Sequence, residues 1–428
     1  MPESPAPPKQ PVATRREKFR AYMKNFNPTA PARDAIDSGL VLEDLHNSLS
    51  RSLAARADLE PGSQQLLAGG IGSGKTTELL LAEKSLYAEG NTAPLFIDIT
   101  AETDLSGLDS GALLAAFGLH LVRAFRQEQL QAGFSGEQLA EVKKAANRIR
   151  EFSLGKTESR WVDDYDYYEP PPEEEDGPPE PGHYITVHTP GKLQPPFPAL
   201  QRDIQQIHEP LEMFLTAARK LFHDVVVIFD GLDRLIGLEK FWAVAHQDLR
   251  ALRKLQVSVL AAAPLSILYG AGRQIAENFD RVYHLQTLAA EPEKLAVLKS
   301  VLEQRSVTEM LGSQQAERIC VASGGVLRDL ITLARDAGEE AYISGSDQIR
   351  LEDVEKAVGQ LGTGYLRGLG PGQLKALSTL NKTGSFDPNS SVNMELLVTG
   401  RALEYSSTDF RVHPALLPLI TKPEARIA

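Results

Sequence analysis

Cysteine is almost missing from this chain: Cys320 is the one cysteine in 428 residues, which rules out an intrachain disulfide and a multi-cysteine zinc site. Set between Ile319 and Val321, it reads as a small core residue rather than a reactive thiol. Long apolar runs are missing too. No stretch reaches the ~18 apolar residues that a membrane-spanning helix needs, and prolines at positions 2, 5, 7, 8 and 11 leave no apolar core for a secretory leader. A cytoplasmic location without membrane contact is therefore expected. Positive charge is also in deficit. There are 45 Lys and Arg against 57 Asp and Glu, a net charge of −12, which argues against a chain that coats nucleic acid over its whole surface.

That deficit is local. No Lys or Arg occurs between Arg160 and Lys192, while Asp163, Asp164, Asp166, Glu169, Glu173, Glu174, Glu175, Asp176 and Glu180 all fall there. Prolines crowd the same stretch, so roughly residues 155–200 cannot bury enough apolar surface to fold alone and read as a mobile acidic insertion. Its interleaved Trp161, Tyr165, Tyr167 and Tyr168 fit either a solvated spacer or a docking element that orders on a partner.

What is present is chemically pointed. Gly69, Gly70, Ile71, Gly72, Ser73, Gly74, Lys75 and Thr76, followed by Thr77, spell G-x-x-x-x-G-K-[ST] between a short apolar strand and a run of helix formers, the context this phosphate-binding loop requires. Glycines let successive backbone N–H groups curl around phosphate oxygens, and the helix start adds partial positive charge. Lys75 can reach the β and γ phosphates, and the Thr76 hydroxyl can ligate Mg²⁺. The blander alternative is a glycine-rich turn that only joins a strand to a helix.

A second motif follows downstream. Residues 225–230, Val-Val-Val-Ile-Phe-Asp, form a β-branched run ending in a carboxylate, as a central parallel strand buried on both faces should. This is a Walker B strand, which offers Asp230 to Mg²⁺, and Asp233 three residues on can orient a water. Alternatively Asp230 caps a turn and Asp233 caps the helix that starts nearby. No guanine-reading Asn/Thr-Lys-x-Asp signature appears after the strand, so the expected nucleotide is ATP.

The length allows two or three domains at about 150 residues each. Strand-like runs at 65–68, 93–99, 225–230, 257–262 and 281–285 alternate with helical stretches, so the expected fold class is α/β. It is a P-loop NTPase parallel sheet with helices on both faces, followed by an all-α lid and a small winged-helix domain. The expected boundaries are a tail and leading helices over 1–62, an ATPase core over 63–288 that carries the insertion at about 155–200, a lid over 289–365 and a winged-helix-like domain over 366–428.

Together these motifs resemble the STAND and AAA+ group of P-loop ATPases. Gly324-Gly325 opening the helix that carries Arg328, and the later helix at 349–357, are similar to that group's lid. The resemblance implies that Arg328 senses the γ-phosphate, with a surface ion pair to Asp329 or Glu352 as the alternative. Asp230-Gly231-Leu232-Asp233 resembles the STAND signalling ATPases, because an ordinary AAA+ motor carries a second acid where Gly231 stands. The segment after 366, with helices near 372–380 and 393–398 and a hairpin over 401–412, resembles a winged helix. Its second helix has little positive charge, so protein contact is expected over DNA. The implied function is a switch ATPase that changes conformation or oligomeric state and signals to a partner protein, with bacterial antiviral defence as a setting. Asp233, Lys75 and Arg328 would be catalytic, and ATP and Mg²⁺ bound. A DNA-associated ATPase of the origin-recognition or transposition-regulator kind, and a non-hydrolysing nucleotide-binding scaffold, are the alternatives.

Overall fold

The structure, a computed structural model, describes residues 14–42, 45–46, 48–90, 92–124, 135–155, 202–235, 237–289, 291–306 and 310–421. The acidic insertion and the proline-rich N-terminal residues lie outside these. Two compact units are present: a sheet unit of Glu43–Gly69 and Gly74–Leu285, and a helical unit of Met1–Leu42, Gly70–Ser73 and Gln286–Ala428. Elements are numbered along the chain. The first two helices, α1 (Arg15–Asn25) and α2 (Ala32–Asp37), belong to the helical unit.

The sheet unit runs α3 (Leu49–Leu59), β1 (Gln64–Gly69), α4 (Lys75–Glu89), β2 (Thr92–Asp98), α5 (Ile99–Glu102), α6 (Ala112–Ala124), α7 (Gly136–Leu154), α8 (Gln205–Ala218), β3 (Asp224–Asp230), α9 (Leu238–Lys254), β4 (Ser258–Ala263), α10 (Gly272–Ala276) and β5 (Arg281–Leu285). The five strands are ordered β2-β3-β4-β1-β5, and every pair is parallel. The connection leaving β1 leads to one edge of the sheet and that leaving β4 to the other. Such a switch point, at the carboxyl ends of neighbouring strands, opens a crevice for ligands.

Alternation along β3 builds two cores. Val225, Val227 and Phe229 face one cluster with side chains of α6, α7, α8 and α9, while Val226 and Ile228 face another with Leu53 of α3 and Leu79 of α4. All five are fully buried or nearly so, and each burial is worth about 1.5–3 kcal/mol. Apolar residues on both faces explain why the run reads as continuous rather than alternating. Within the first layer, α6 and α7 approach closely at Gly118, where a Cβ would lie 2.6 Å from Ile149 Cγ2. The α6 N-terminus is capped from α9, because the buried Asp248 accepts from the N–H groups of Gly111 at 2.6 Å, Leu113 at 2.8 Å and Leu114 at 3.3 Å. Among the described residues β2 is an edge strand. It contains Pro94, which has no N–H for a ladder and is tolerated at edges.

In the helical unit α11 (Pro292–Arg305), α12 (Ser313–Ala322), α13 (Leu327–Ile343) and α14 (Leu351–Leu366) form the all-α portion. The first helix packs on α13: the Tyr22 hydroxyl donates to Ala334 O at 3.0 Å, and its ring fills the space a Cβ on Gly338 would take. Asn25 and Arg305 exchange hydrogen bonds at 2.9 Å. The chain ends with α15 (Pro371–Thr383), α16 (Ser391–Val398), the antiparallel strands β6 (Ala402–Ser406) and β7 (Asp409–Val412), and α17 (Leu417–Ile420). Cys320 is fully buried on α12, and burial pushes its thiol up to about 12.

Candidate functional site

The phosphate-binding sequence lies at the switch point. Gly69 closes β1 and Lys75 opens α4. Gly72 and Gly74 hold φ of 76° and 105°, a region costly for residues with a Cβ. The first amides of α4 have no acceptor within their own helix, and they point to where the helix dipole favours an anion. Ile71 is exposed at the loop tip, and Thr77 follows half-buried on α4. The buried Ser73 Oγ makes no hydrogen bond, although an orphaned buried hydroxyl is costly. A phosphate oxygen would satisfy it.

Four side chains of the sheet unit meet at this helix start. Lys75, only 6% exposed, places Nζ 2.9 Å from Gly69 O and 3.0 Å from Asp233 Oδ2. The Thr76 hydroxyl donates to Asp230 Oδ2 at 2.8 Å. Asp230 ends β3, is 5% exposed and is in register with Asp98, which ends β2. Burial, above all, raises the Asp230 carboxyl above its ordinary range; the Thr76 hydrogen bond opposes this, and the charges of Asp233 and Asp98 add to it. A buried carboxylate pushed up in this way gains from a cation. The set of Thr76 hydroxyl and Asp230 carboxylate suits a small hard ion such as Mg²⁺, which takes few protein ligands and completes its shell with phosphates and water. No group of three or more His, Cys, Asp or Glu among the described residues offers a protein cage instead.

Asp233 sits in the 3-10 turn Leu232–Arg234, and the residue capping α9 is Gly237, so Asp233 does not serve as that helix cap. Gly231 has a local reason as well. Its φ is 86°, and a Cβ there would lie 2.6 Å from Thr100 Cγ2 and 3.3 Å from Asp98 Oδ1. A second acid following Asp230 would thus need both a left-handed backbone and a displaced Thr100 side chain.

Arg328 belongs to the helical unit, as do Gly70–Ser73. Its backbone N–H donates to Gly72 O at 3.3 Å, and a Cβ on Gly72 would lie 2.7 Å from its own. The exposed guanidinium makes none of the ion pairs open to it in sequence: Asp329 bonds to Tyr365 and His413, and Glu352 to Arg350. Of the arginines of the sheet unit, Arg253 pairs with Asp280 at 2.8 Å and Arg273 donates to Leu268 O at 3.1 Å. Sequence reasoning missed Asp98, whose signal was an acid closing an apolar strand, as at Asp230. It also missed Tyr365 and His413, for which no local signal exists.

No family model matches the sequence, and no curated protein matches it either. Among solved structures the chain is similar to Drosophila ORC bound to DNA, at 14% identity and a TM-score of 0.42 over 90% of this chain and 79% of that one. It is similar to Cdc6p from Pyrobaculum aerophilum at 13% and 0.40, over 93% and 98%. The RuvB Holliday junction branch migration motor of Thermotoga maritima matches at 15% and 0.38, over 91% and 97%. Likeness at this level transfers neither activity nor partner. What the chain itself displays is a parallel α/β sheet with a phosphate-binding loop between β1 and α4 and two aspartates brought against it.

Proposed function

We propose that the chain binds ATP with Mg²⁺, hydrolyses it slowly, and uses the difference between the two nucleotide states to change its own assembly or its hold on a partner protein. The observation that carries this reading is the contact of Lys75 with Asp233 and of Thr76 with Asp230 at one helix start. A glycine-rich turn with no chemical task would not need to bury a lysine and an aspartate together, with a second, half-buried aspartate against the lysine.

In this reading Lys75 and the backbone amides of residues 69–77 hold the phosphates, with Lys75 shared between Asp233 and the β and γ oxygens. Thr76 and Asp230 hold Mg²⁺, which when bound neutralises phosphate charge. Asp233 orients a water and accepts its proton as the water oxygen bonds to the γ-phosphorus and the bond to ADP breaks. Arg328, which pairs with neither Asp329 nor Glu352, offers its planar fork to the γ-phosphate and is released when that group leaves. The lid and winged-helix resemblance, and the likeness of Asp230-Gly231-Leu232-Asp233 to STAND ATPases, support a signalling role, with antiviral defence as its setting.

Protein, rather than DNA, is the proposed partner of the C-terminal helices and hairpin. The second helix, Ser391–Val398, carries no Lys or Arg. Arg401 donates to the backbone oxygens of Tyr365 at 2.8 Å and Arg367 at 3.0 Å, and Arg411 pairs with Asp409 at 2.7 Å. Arginines engaged in this way are poorly placed to track phosphates.

Light scattering in ADP and in a non-hydrolysable ATP analogue tests the reading, with Lys75→Ala as control. A larger particle only with the analogue, lost in the variant, is expected. Nucleotide binding that survives Lys75→Ala unchanged would overturn the assignment of the site. ATP hydrolysis stimulated by duplex DNA would move the partner assignment to nucleic acid.

A further inference from the structure

Arg328 is bracketed by two attachments, one to the C-terminal hairpin and one to α14 and to His413, which directly follows that hairpin. Before it, Gly324 and Gly325 turn the chain at φ of 60° and 81°. A Cβ on Gly324 would lie 2.5 Å from Leu403 Cδ1 and 2.8 Å from Pro414 Cδ. The Gly324 carbonyl accepts from the buried Tyr405 hydroxyl at 2.7 Å. After it, Asp329 is 6% exposed and turns its carboxylate into the protein. Its Oδ2 accepts from the Tyr365 hydroxyl at 2.6 Å and lies 3.1 Å from His413 Nε2.

The protonation pattern follows from the hydrogen bonds. The Ala415 N–H donates to His413 Nδ1 at 3.2 Å, so Nδ1 is an acceptor and the ring proton sits on Nε2, aimed at Asp329. The ring is fully buried and packs on Tyr365 with centroids 4.6 Å apart. Burial and the neighbouring Asp329 charge raise the Tyr365 phenol well above its usual range, which keeps it a donor. Two donors from distant parts of the chain therefore converge on one carboxylate oxygen, one residue from Arg328. Charge-assisted bonds shielded from solvent, as the one from His413 is, are the strong kind.

We propose that Asp329, held by Tyr365 and His413, is a positioning residue that sets how the start of α13 presents Arg328, and that the C-terminal hairpin thereby takes part in telling ATP from ADP. The inference rests on the nucleotide-switch reading above and adds its coupling element. A shift of Arg328 that pulls on Asp329 or Gly324 is shared with β6 and with the segment 413–415, because those contacts are buried and close-packed rather than compliant.

The test is a double-mutant cycle on the full chain, reading affinity for ADP and for a non-hydrolysable ATP analogue. Tyr365→Phe removes one hydroxyl without changing shape, and Asp329→Asn removes the charge. Each should reduce the preference for the analogue by about 5-fold or more, the size of a typical coupling, in the same direction as Arg328→Ala, while ADP affinity stays within about 2-fold. In an Arg328→Ala background neither should reduce it further. A preference altered by Arg328→Ala but untouched by Tyr365→Phe overturns this inference alone, as does an equal loss of affinity for both nucleotides, which marks a merely structural role. A preference unmoved by Arg328→Ala overturns the sensing role of Arg328 and the inference with it. Wild-type protein that binds neither nucleotide overturns the switch reading itself.

Discussion

Two glycine turns, each opening a helix, put the same backbone geometry to opposite uses. In the phosphate loop Gly72 and Gly74 hold φ of 76° and 105°, Ile71 is exposed, and the Ser73 hydroxyl is buried without a partner. In the turn before α13, Gly324 and Gly325 hold 60° and 81°. There the polar groups are already used: Tyr405 binds the Gly324 carbonyl, and the Gly325 N–H donates to Ser323 Oγ at 3.1 Å. A Cβ on Gly325 would fall 1.6 Å from Leu288 O, whereas on Gly70 it would meet nothing within 4 Å. Positive φ alone does not make a binding loop. The difference lies in the serine hydroxyl beside each turn: Ser323 Oγ accepts from the Gly325 N–H and donates to Cys320 O, whereas Ser73 Oγ is buried without a partner.

Substitution at the closed turn breaks the comparison hardest. Gly325→Ala adds backbone strain to a clash with a backbone carbonyl and should cost about 3–5 kcal/mol, seen as a fall in melting midpoint of about 10 °C. Gly72→Ala meets the Arg328 side chain rather than main chain, so its melting should fall by less; equal losses would end the distinction. Next in size, Lys75→Ala should weaken ATP and ADP about 10- to 100-fold by calorimetry, the worth of a charge-assisted phosphate contact.

A smaller effect is expected in pH. Because the Asp230 carboxyl is raised, chiefly by burial, it takes up a proton at higher pH than a free carboxylate does, and Mg²⁺ enhancement of nucleotide affinity should fade on acidification through that range. Removing a neighbouring charge with Asp98→Asn should extend the enhancement to lower pH, measured as affinity with and without Mg²⁺ at pH 5 and pH 7.5. The smallest effect is on stability. Asp248 is pushed up to about 7 by burial, against the hydrogen bonds from Gly111, Leu114, Leu113 and Ser110. A raised folded value contributes stability that is fully present below the unfolded carboxyl value of about 4 and is lost as pH rises through the folded one. Melting should therefore decline from pH 5 to pH 8 by a few degrees, about 2–4 °C per kcal/mol, and Asp248→Asn should flatten that slope.

The parts of the molecule legible in the sequence are those where chemistry and neighbourhood coincide. The strand expected over 281–285 is β5 to the residue, and that expected over 225–230 gains only Asp224, because β-branched and aromatic residues in runs this short favour a strand. The phosphate loop was readable because its glycines, lysine and threonine are consecutive. Partners brought from far along the chain were not. Asp329 looked like a surface partner for Arg328, yet its bonds go to residues 36 and 84 positions away. The first helix looked like an approach to the sheet, yet Tyr22 fits against Gly338 of α13, 316 positions on by their numbers, and the hydroxyl reaches Ala334. A missing Cβ is an invitation that only the tertiary fold reveals.

Pro94 bears on how copies of this chain can meet. Among the described residues β2 is a border of the sheet, and a strand border with regular N–H groups is a template onto which another molecule's strand can zip. Pro94, paired in register with Val226 on the inner side, interrupts that template. An assembly of identical chains at this border would then rest on side-chain surfaces, which a bound nucleotide can make and unmake, and not on a continued ladder past β2, which would be slow to release.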